Sequence, residues 1–339
     1  MKKAPIVITM GDPAGIGPEV TVKAQQVVKG NTPFFVIGDY ALLKKVAHKY
    51  SVKTELIESP AETLEGSDKL FILDNSVSEP VKFGTISLEN QMSVVTGIRR
   101  AVSFLKDGSA SALVTNPICK WALQKGASFK FSGHTDFLQF LDNPKSSKPV
   151  MMLANKKGFR VVPTTIHIPL KKVSQTIKPS LIERTILTVH NSLNIDFGIT
   201  DPKILVTGLN PHAGENRMLG TEEITKINPV IKKLSLRGLK VDGPVPADTA
   251  FVPANRSYYD GFICMYHDQA LIPIKTLGFE DAINVTLGLS FVRTSPDHGT
   301  GFDISGKGCA DPSSLIYAIQ EARKIADTRN FHKIQRLNE

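Results

Sequence analysis

Three histidines stand just beyond apolar, β-branched runs: His167 after Val161-Val162, His212 after Ile204-Leu205-Val206, and His267 after Phe262-Ile263-Cys264. In open α/β sheets ligands gather beyond the carboxyl ends of the strands, so imidazoles delivered there could converge on one point. Three neutral imidazoles with an open fourth position are the donor set of a catalytic zinc, and related divalent metals accept similar donors. Glu215, and the neighbours Asp268 and Gln269, stand where they could fix the ring tautomers of His212 and His267. The separations of 45 and 55 residues match no local metal motif. A histidine bonded to a nearby carbonyl is the ordinary fate of each one singly. Their shared position after a strand is what argues for a metal.

A second group of residues suits an anion. Lys275, Asn284 and Arg293 are spaced nine residues apart, and His134-Thr135 opens a possible helix earlier in the chain. A lysine, a guanidinium and amide or hydroxyl donors are the groups that hold a phosphate and a carboxylate. Two glycine-rich stretches could bring backbone close to a ligand. In Gly11-Asp12-Pro13-Ala14-Gly15-Ile16-Gly17-Pro18-Glu19 the two prolines break the dinucleotide-fingerprint spacing, so it reads as a tight loop before a helix. Asp297–Gly308 carries four glycines, an imidazole and two carboxylates, the composition of a loop laid against a flat polar ligand.

The elements that must position these groups alternate along the chain. Strands are expected at 6–10, 34–37, 70–73, 112–115, 150–153, 160–164, 204–207, 262–265 and 283–286. Helices are expected at 18–29, 41–50, 89–106, 179–193, 222–236 and 312–326. Short apolar runs alternating with helices imply largely parallel sheets covered on both faces. With 339 residues, two domains are expected rather than one. No linker separates them, so the chain is expected to cross between domains more than once.

Composition narrows the function classes. The net charge of +9 is spread over scattered lysine pairs and accompanies no nucleic-acid motif, so a nucleic-acid partner is not expected. The apolar run after Lys2 and Lys3 is too short for a signal peptide, and no stretch approaches a membrane span. Three distant cysteines, Cys119, Cys264 and Cys309, fit a reducing compartment, which points to the cytoplasm.

Taken together, several long segments resemble the 4-hydroxythreonine-4-phosphate dehydrogenase family. They are 11–19, Ser132-Gly133-His134-Thr135-Asp136, Gly208-Leu209-Asn210-Pro211-His212-Ala213-Gly214-Glu215, Gly243–Thr249, Tyr266-His267-Asp268-Gln269 and Asn284–Leu289. The resemblance covers nearly the whole chain. It implies an α/β fold of the isocitrate/isopropylmalate-dehydrogenase-like kind, with two α/β/α domains and a cleft between them. The domains would be 1–130 with 285–339 on the cofactor side, and 131–284 for metal, substrate and dimerisation. It further implies a homodimer with the active site at the interface. Metal ligands would be His167, His212 and His267, the third supplied by the partner subunit. His134, Thr135, Lys275, Asn284 and Arg293 would bind substrate. His298, Gly299, Thr300, Asp303 and Gly306 would bind NAD or NADP. Asn216-Arg217-Met218-Leu219 departs from the family's usual Gly-Gly-His-Met, and Gly301-Phe302-Asp303 lies where members vary, which bears on NAD against NADP.

The chemistry so implied is oxidation of 4-phosphooxy-L-threonine, a small phosphorylated amino acid, at its C3 hydroxyl. A divalent metal (Zn, Mg or Co) would make that hydroxyl more acidic, Lys275 or Asp248 would take its proton, and hydride would pass to the nicotinamide. The resulting 3-oxo acid would lose CO₂ to give 3-amino-2-oxopropyl phosphate, on the route to pyridoxal 5'-phosphate. One rival is a sister dehydrogenase of 4-phosphothreonate or 4-phosphoerythronate. Another is a zinc-dependent aldolase, which would have no use for an adenosine loop at 298–308.

Overall fold

The computed structural model describes residues 3–28, 32–63, 65–146, 148–278 and 280–338. The chain divides into two compact units, Met1–Pro149 with Leu289–Asp327, and Val150–Gly288 with Thr328–Glu339. Each is an α/β unit built on its own set of strands.

In the first unit the strands are β1 (Ile6–Thr9), β2 (Phe34–Gly38), β3 (Thr54–Ile57), β4 (Leu70–Asp74), β5 (Ala112–Thr115) and β12 (Val292–Pro296). Their order is β3-β4-β2-β1-β5-β12, and every pairing between them is parallel. The central strands are buried along their whole length, as parallel strands covered on both faces must be. Val7, Phe35, Phe71 and Leu113 pack with Ile98 of the helix Gln91–Lys106 and with Phe137 and Leu138 of the helix His134–Asp142.

The second unit contains β6 (Val150–Ala154), β7 (Arg160–Pro163), β8 (Lys203–Thr207), β9 (Lys240–Val245), β10 (Gly261–Cys264) and β11 (Ile283–Leu287). The order is β11-β6-β7-β10-β8-β9. β6 runs antiparallel to both β11 and β7, while β7, β10, β8 and β9 are parallel. Phe159, Phe262 and Leu205 pack here against Ala270 and Ile274 of the helix His267–Leu277.

All nine expected strands are present within about a residue at each end. The three that were not anticipated have polar sequences. β3 and β9 are edge strands, and edges carry charge, glycine and proline where interior strands carry Val and Ile. β12 reads Val-Arg-Thr-Ser-Pro yet is wholly buried, its polar atoms bonded within the unit. The helix expected at 222–236 is instead a π-helical turn, Glu223–Ile227, followed by an α-helix, Asn228–Ser235. Pro229 has no amide to donate, so a single uninterrupted helix is disfavoured there.

The division of the chain also differs from the expected 130/131 and 284/285 boundaries. The helix His134–Asp142 belongs with the first unit, because Phe137 and Leu138 fill its core and Asp142 accepts the amide of Ser290 at 2.9 Å. Residues 285–288 stay with the second unit because β11 pairs with β6. From Thr328 onward the last helix counts with the second unit, where Arg329 pairs with the buried Asp196 at 2.5 Å.

The first glycine loop is a packing device. A Cβ at Gly17 would lie 2.2 Å from the carbonyl oxygen of Met10, and one at Gly11, whose φ is +77°, 2.5 Å from that of Pro117. Gly17→Ala is therefore expected to lower stability by about 1–3 kcal/mol through overpacking. A denaturation midpoint equal to that of the parent would contradict this. Among the described residues, no helix is long and apolar enough to cross a membrane.

Candidate functional site

The second unit carries the histidines. β7 and β8 flank β10 and run parallel to it, so the loops after these three strands leave from one edge of the sheet. His167, His212 and His267 follow those strands within a few residues. The rings of His167 and His267 have centroids 5.8 Å apart. Both line a cavity of about 290 Å³ with Thr165, Ile166, Tyr266 and Asp268. Asp268 Oδ1 lies 2.7 Å from Nδ1 of His267, and Glu215 Oε2 lies 3.1 Å from Nδ1 of His212. A carboxylate beside Nδ1 assigns the proton to that nitrogen and leaves Nε2 with the lone pair a metal needs. The donor set thus fits a divalent metal. Within this one chain, however, no three His, Cys, Asp or Glu side chains among the described residues are grouped closely enough to hold an ion. The two rings of His167 and His267 meet, and His212 stands on a separate loop.

Backbone conformation marks the same residues. His167 has φ of 48° and His212 of 49°, both in the left-handed region. For a residue with a Cβ that region costs roughly 1–2 kcal/mol. Such positions persist where the surroundings hold them, and they cluster at functional sites.

Gln269 ties two of these loops together. Its Oε1 accepts from the amide of Met265 at 2.9 Å and from Thr207 Oγ1 at 3.2 Å, and its Nε2 donates to the carbonyl of Gly208 at 2.9 Å. One amide thereby joins the end of β10 to the end of β8. Lys275 lies two turns beyond His267 on the helix His267–Leu277. Asp248 is exposed on the short helix Ala247–Ala250, which packs against β8 and the segment Pro211–Arg217. Asn284 sits on β11, and its Oδ1 is buried with no hydrogen-bond partner among the described residues.

The first unit holds the other expected anion-binding residues. Arg293 on β12 is 4% exposed, and its Nη2 and Nε donate to Thr115 Oγ1 at 2.6 and 3.2 Å. Burial brings its pKa down to about 10. His134 opens the helix His134–Asp142, with Thr135 next to it. Burial, and then the charge of Arg293, hold the His134 imidazole well below the usual 6.5. Its Nε2 is buried and has no partner among the described residues. A buried guanidinium beside a neutral imidazole with an unsatisfied nitrogen is a setting that an anion would complete.

A pH dependence follows. As pH falls below 6.5 the unfolded chain protonates this histidine while the folded chain does not. Stability from this group is full above about pH 6.5 and drains as pH falls toward the lowered folded value, by at most about 1.4 kcal/mol per pH unit. His134→Asn is expected to fall less steeply in denaturant stability between pH 7 and 5.5. Equal slopes for variant and parent would contradict the assignment.

The loop at 298–308 is anchored on the first glycine loop. Ile16 donates its amide to Thr300 O at 2.9 Å, and Ser305 Oγ donates to the carbonyls of Ala14 and Gly15 at 2.7 and 2.8 Å. Glu19 Oε1 accepts the amide of Ala310 at 3.1 Å and Oε2 that of Gly308 at 3.3 Å. Burial works against ionisation of Glu19, but Lys23 and the Ala310 amide outweigh it and keep its pKa below normal. Gly299, Asp303 and Gly306 face solvent on this fixed scaffold, and His298 Nδ1 lies 3.0 Å from Gly299 O. The two glycine segments, 288 residues apart at Gly11 and Gly299, form one double loop.

Sequence reading missed Thr115 and Glu223. Thr115 closes an apolar strand and Glu223 sits in a helical pattern. Nothing local links either to a residue of the site.

The family model described as pyridoxal phosphate biosynthetic protein PdxA matches residues 30–322. The chain belongs to this family. It is 46% identical over 332 residues to the 4-hydroxythreonine-4-phosphate dehydrogenase of Ruegeria sp., covering 97% of this chain and 99% of that one. It is likewise 46% identical over 326 residues to the enzyme of that name from Roseobacter denitrificans, covering 95% and 97%. Among solved structures, the 4-hydroxythreonine-4-phosphate dehydrogenase from Klebsiella pneumoniae superimposes with a TM-score of 0.86 at 34% identity, over 96% of this chain and 100% of that one.

Proposed function

We propose that the chain oxidises 4-phosphooxy-L-threonine to 2-amino-3-oxo-4-phosphooxybutanoate with NAD or NADP, in pyridoxal 5'-phosphate biosynthesis. The product then loses CO₂ to give 3-amino-2-oxopropyl phosphate. The observation that carries this reading is near-full-length similarity to curated dehydrogenases of that name, in a chain whose residues supply matching chemistry. Arg293 and neutral His134, with Thr135, hold the phosphate, and Lys275 and Asn284 bind the rest of the substrate. His167, His212 and His267 hold a divalent metal, which when bound lowers the pKa of the substrate hydroxyl. Lys275 or Asp248 would take the proton from that hydroxyl, and the nicotinamide, when bound, would supply the acceptor for the C3 hydride. The double loop at 298–308 receives the adenosine half of the cofactor, with His298, Gly299, Thr300, Asp303 and Gly306 lining it.

The same reading makes the working form a homodimer in which the partner subunit supplies the third metal ligand. Exposed Ile166, Leu170, Met218 and Ile272 on the second unit give this unit apolar surface to cover. Three free cysteines agree with a cytoplasmic setting.

The test is nicotinamide reduction by the purified chain with 4-phosphooxy-L-threonine and a divalent metal, beside chelated and 4-phosphoerythronate controls. Metal-dependent reduction with the amino acid alone is expected. Reduction with the sugar acid alone would replace the substrate and keep the site, and no reduction with either would overturn the reading.

A further inference from the structure

The segment that carries His212 follows a left-handed path. His212, Ala213, Glu215 and Asn216 have φ of 49°, 51°, 39° and 52°, with Gly214 at 84° and Arg217 at 81°. Only Gly214 adopts that region without a Cβ conflict. Five other residues in succession do so because something outside the segment holds them.

The side chain packed beneath this segment is Glu223. Its Oε1 accepts the amides of Leu209 at 2.8 Å and Asn210 at 2.7 Å, and its Oε2 accepts Asn210 Nδ2 at 3.0 Å. Glu223 is 2% exposed, and its carboxylate lies so close beneath Gly214 that a Cβ there would come within 2.7 Å of Oε2. Glu222 extends the clamp: its Oε2 takes a second bond from Asn210 Nδ2 at 2.9 Å, and its Oε1 accepts from Ser174. Ser174 and Asn210 hold the Glu222 pKa down to about 2. The carboxylate of Glu223 reaches inward from the first residue of the π-helical turn, a wide turn of the kind found at functional sites.

We propose that Glu223 is the positioning residue for His212. By gripping the amides of Leu209 and Asn210 just ahead of the left-handed segment, it sets the path that aims the imidazole, whose Nδ1 then meets Glu215 at 3.1 Å. This rests on the reading of His212 as a metal ligand. It places the dependence on Glu223 in metal affinity, and leaves cofactor binding, carried by the first unit, untouched.

The experiment uses the full chain with Glu223→Ala and Glu223→Gln. Cobalt affinity is measured by calorimetry, NAD affinity by fluorescence, and the exposed segment by the rate of tryptic cleavage after Arg217. Glu223→Ala is expected to weaken cobalt binding by about 10–100-fold and to speed cleavage, with NAD affinity within two-fold of the parent. Glu223→Gln keeps one acceptor for the two amides and is expected to lose roughly three- to ten-fold in cobalt affinity. Parental cobalt affinity and parental cleavage rate in Glu223→Ala would overturn the proposal. Should that variant fail to fold, seen as lost NAD binding, parental cobalt affinity in Glu223→Gln would overturn it instead. A parent protein that binds no cobalt would sink the histidine reading. The cleavage rate then still decides the clamp: unchanged in Glu223→Ala, it overturns it, and faster, it sustains it.

Discussion

His212→Asn is expected to abolish measurable divalent-metal binding and to lower kcat/KM by about a thousand-fold or more, with the fold intact. The size follows from what a metal held by the three histidines would do. An ion that acidifies a substrate hydroxyl is worth several kcal/mol at the transition state, and each 1.4 kcal/mol is about ten-fold. The fold should survive because His212 is an exposed residue on a loop and contributes nothing to the core. Asparagine is chosen over alanine because it tolerates the left-handed backbone that His212 adopts, at φ of 49°. Metal content after dialysis and steady-state turnover read the result. Full turnover in a variant that retains no metal would remove the three-histidine site.

Arg293→Ala is expected to raise the substrate KM by about a hundred-fold while the NAD KM moves less than about three-fold. A hydrogen bond from a charged donor contributes roughly 1.5–3 kcal/mol, and a guanidinium can supply two to a phosphate. Because Arg293 is buried on β12, truncation also leaves a cavity and strips Thr115 Oγ1 of its donor. Stability should fall as well, so the kinetics are read below the variant's own melting range. Thr115→Val separates the two effects, since it loses the internal bond and keeps the guanidinium. Arg293→Lys keeps the charge without the planar fork and should fall between parent and alanine. Equal rises in both KM values would show that Arg293 serves general architecture instead.

Much of the fold was legible because its inner strands are short apolar runs whose burial on both faces demands Val, Ile and Phe, as in Ile6–Thr9 and Phe34–Gly38. The edge strands β3 and β9 escaped because exposure lifts that demand. Helix His267–Leu277 escaped too, since Pro273 interrupts its pattern, yet the helix accommodates it. Of the site, the residue types and the strand-end positions of the histidines were readable, as were the carboxylates next to His212 and His267, because adjacency in sequence guarantees adjacency in space.

By itself the sequence determined which apolar segments become strands, which loops carry imidazoles, and which family the motifs resemble. These are local properties, set by side-chain burial and by backbone freedom within a few residues. Tertiary structure alone decided that β7 and β8 flank β10, that His167 meets His267, that Arg293 bonds Thr115, that burial and then the charge of Arg293 lower the His134 pKa, and that Glu223 grips the backbone ahead of His212. Strand order follows from how whole layers pack, and the chain separation between Thr115 and Arg293 leaves no periodic trace. Only the folded chain brings such groups within reach of one another.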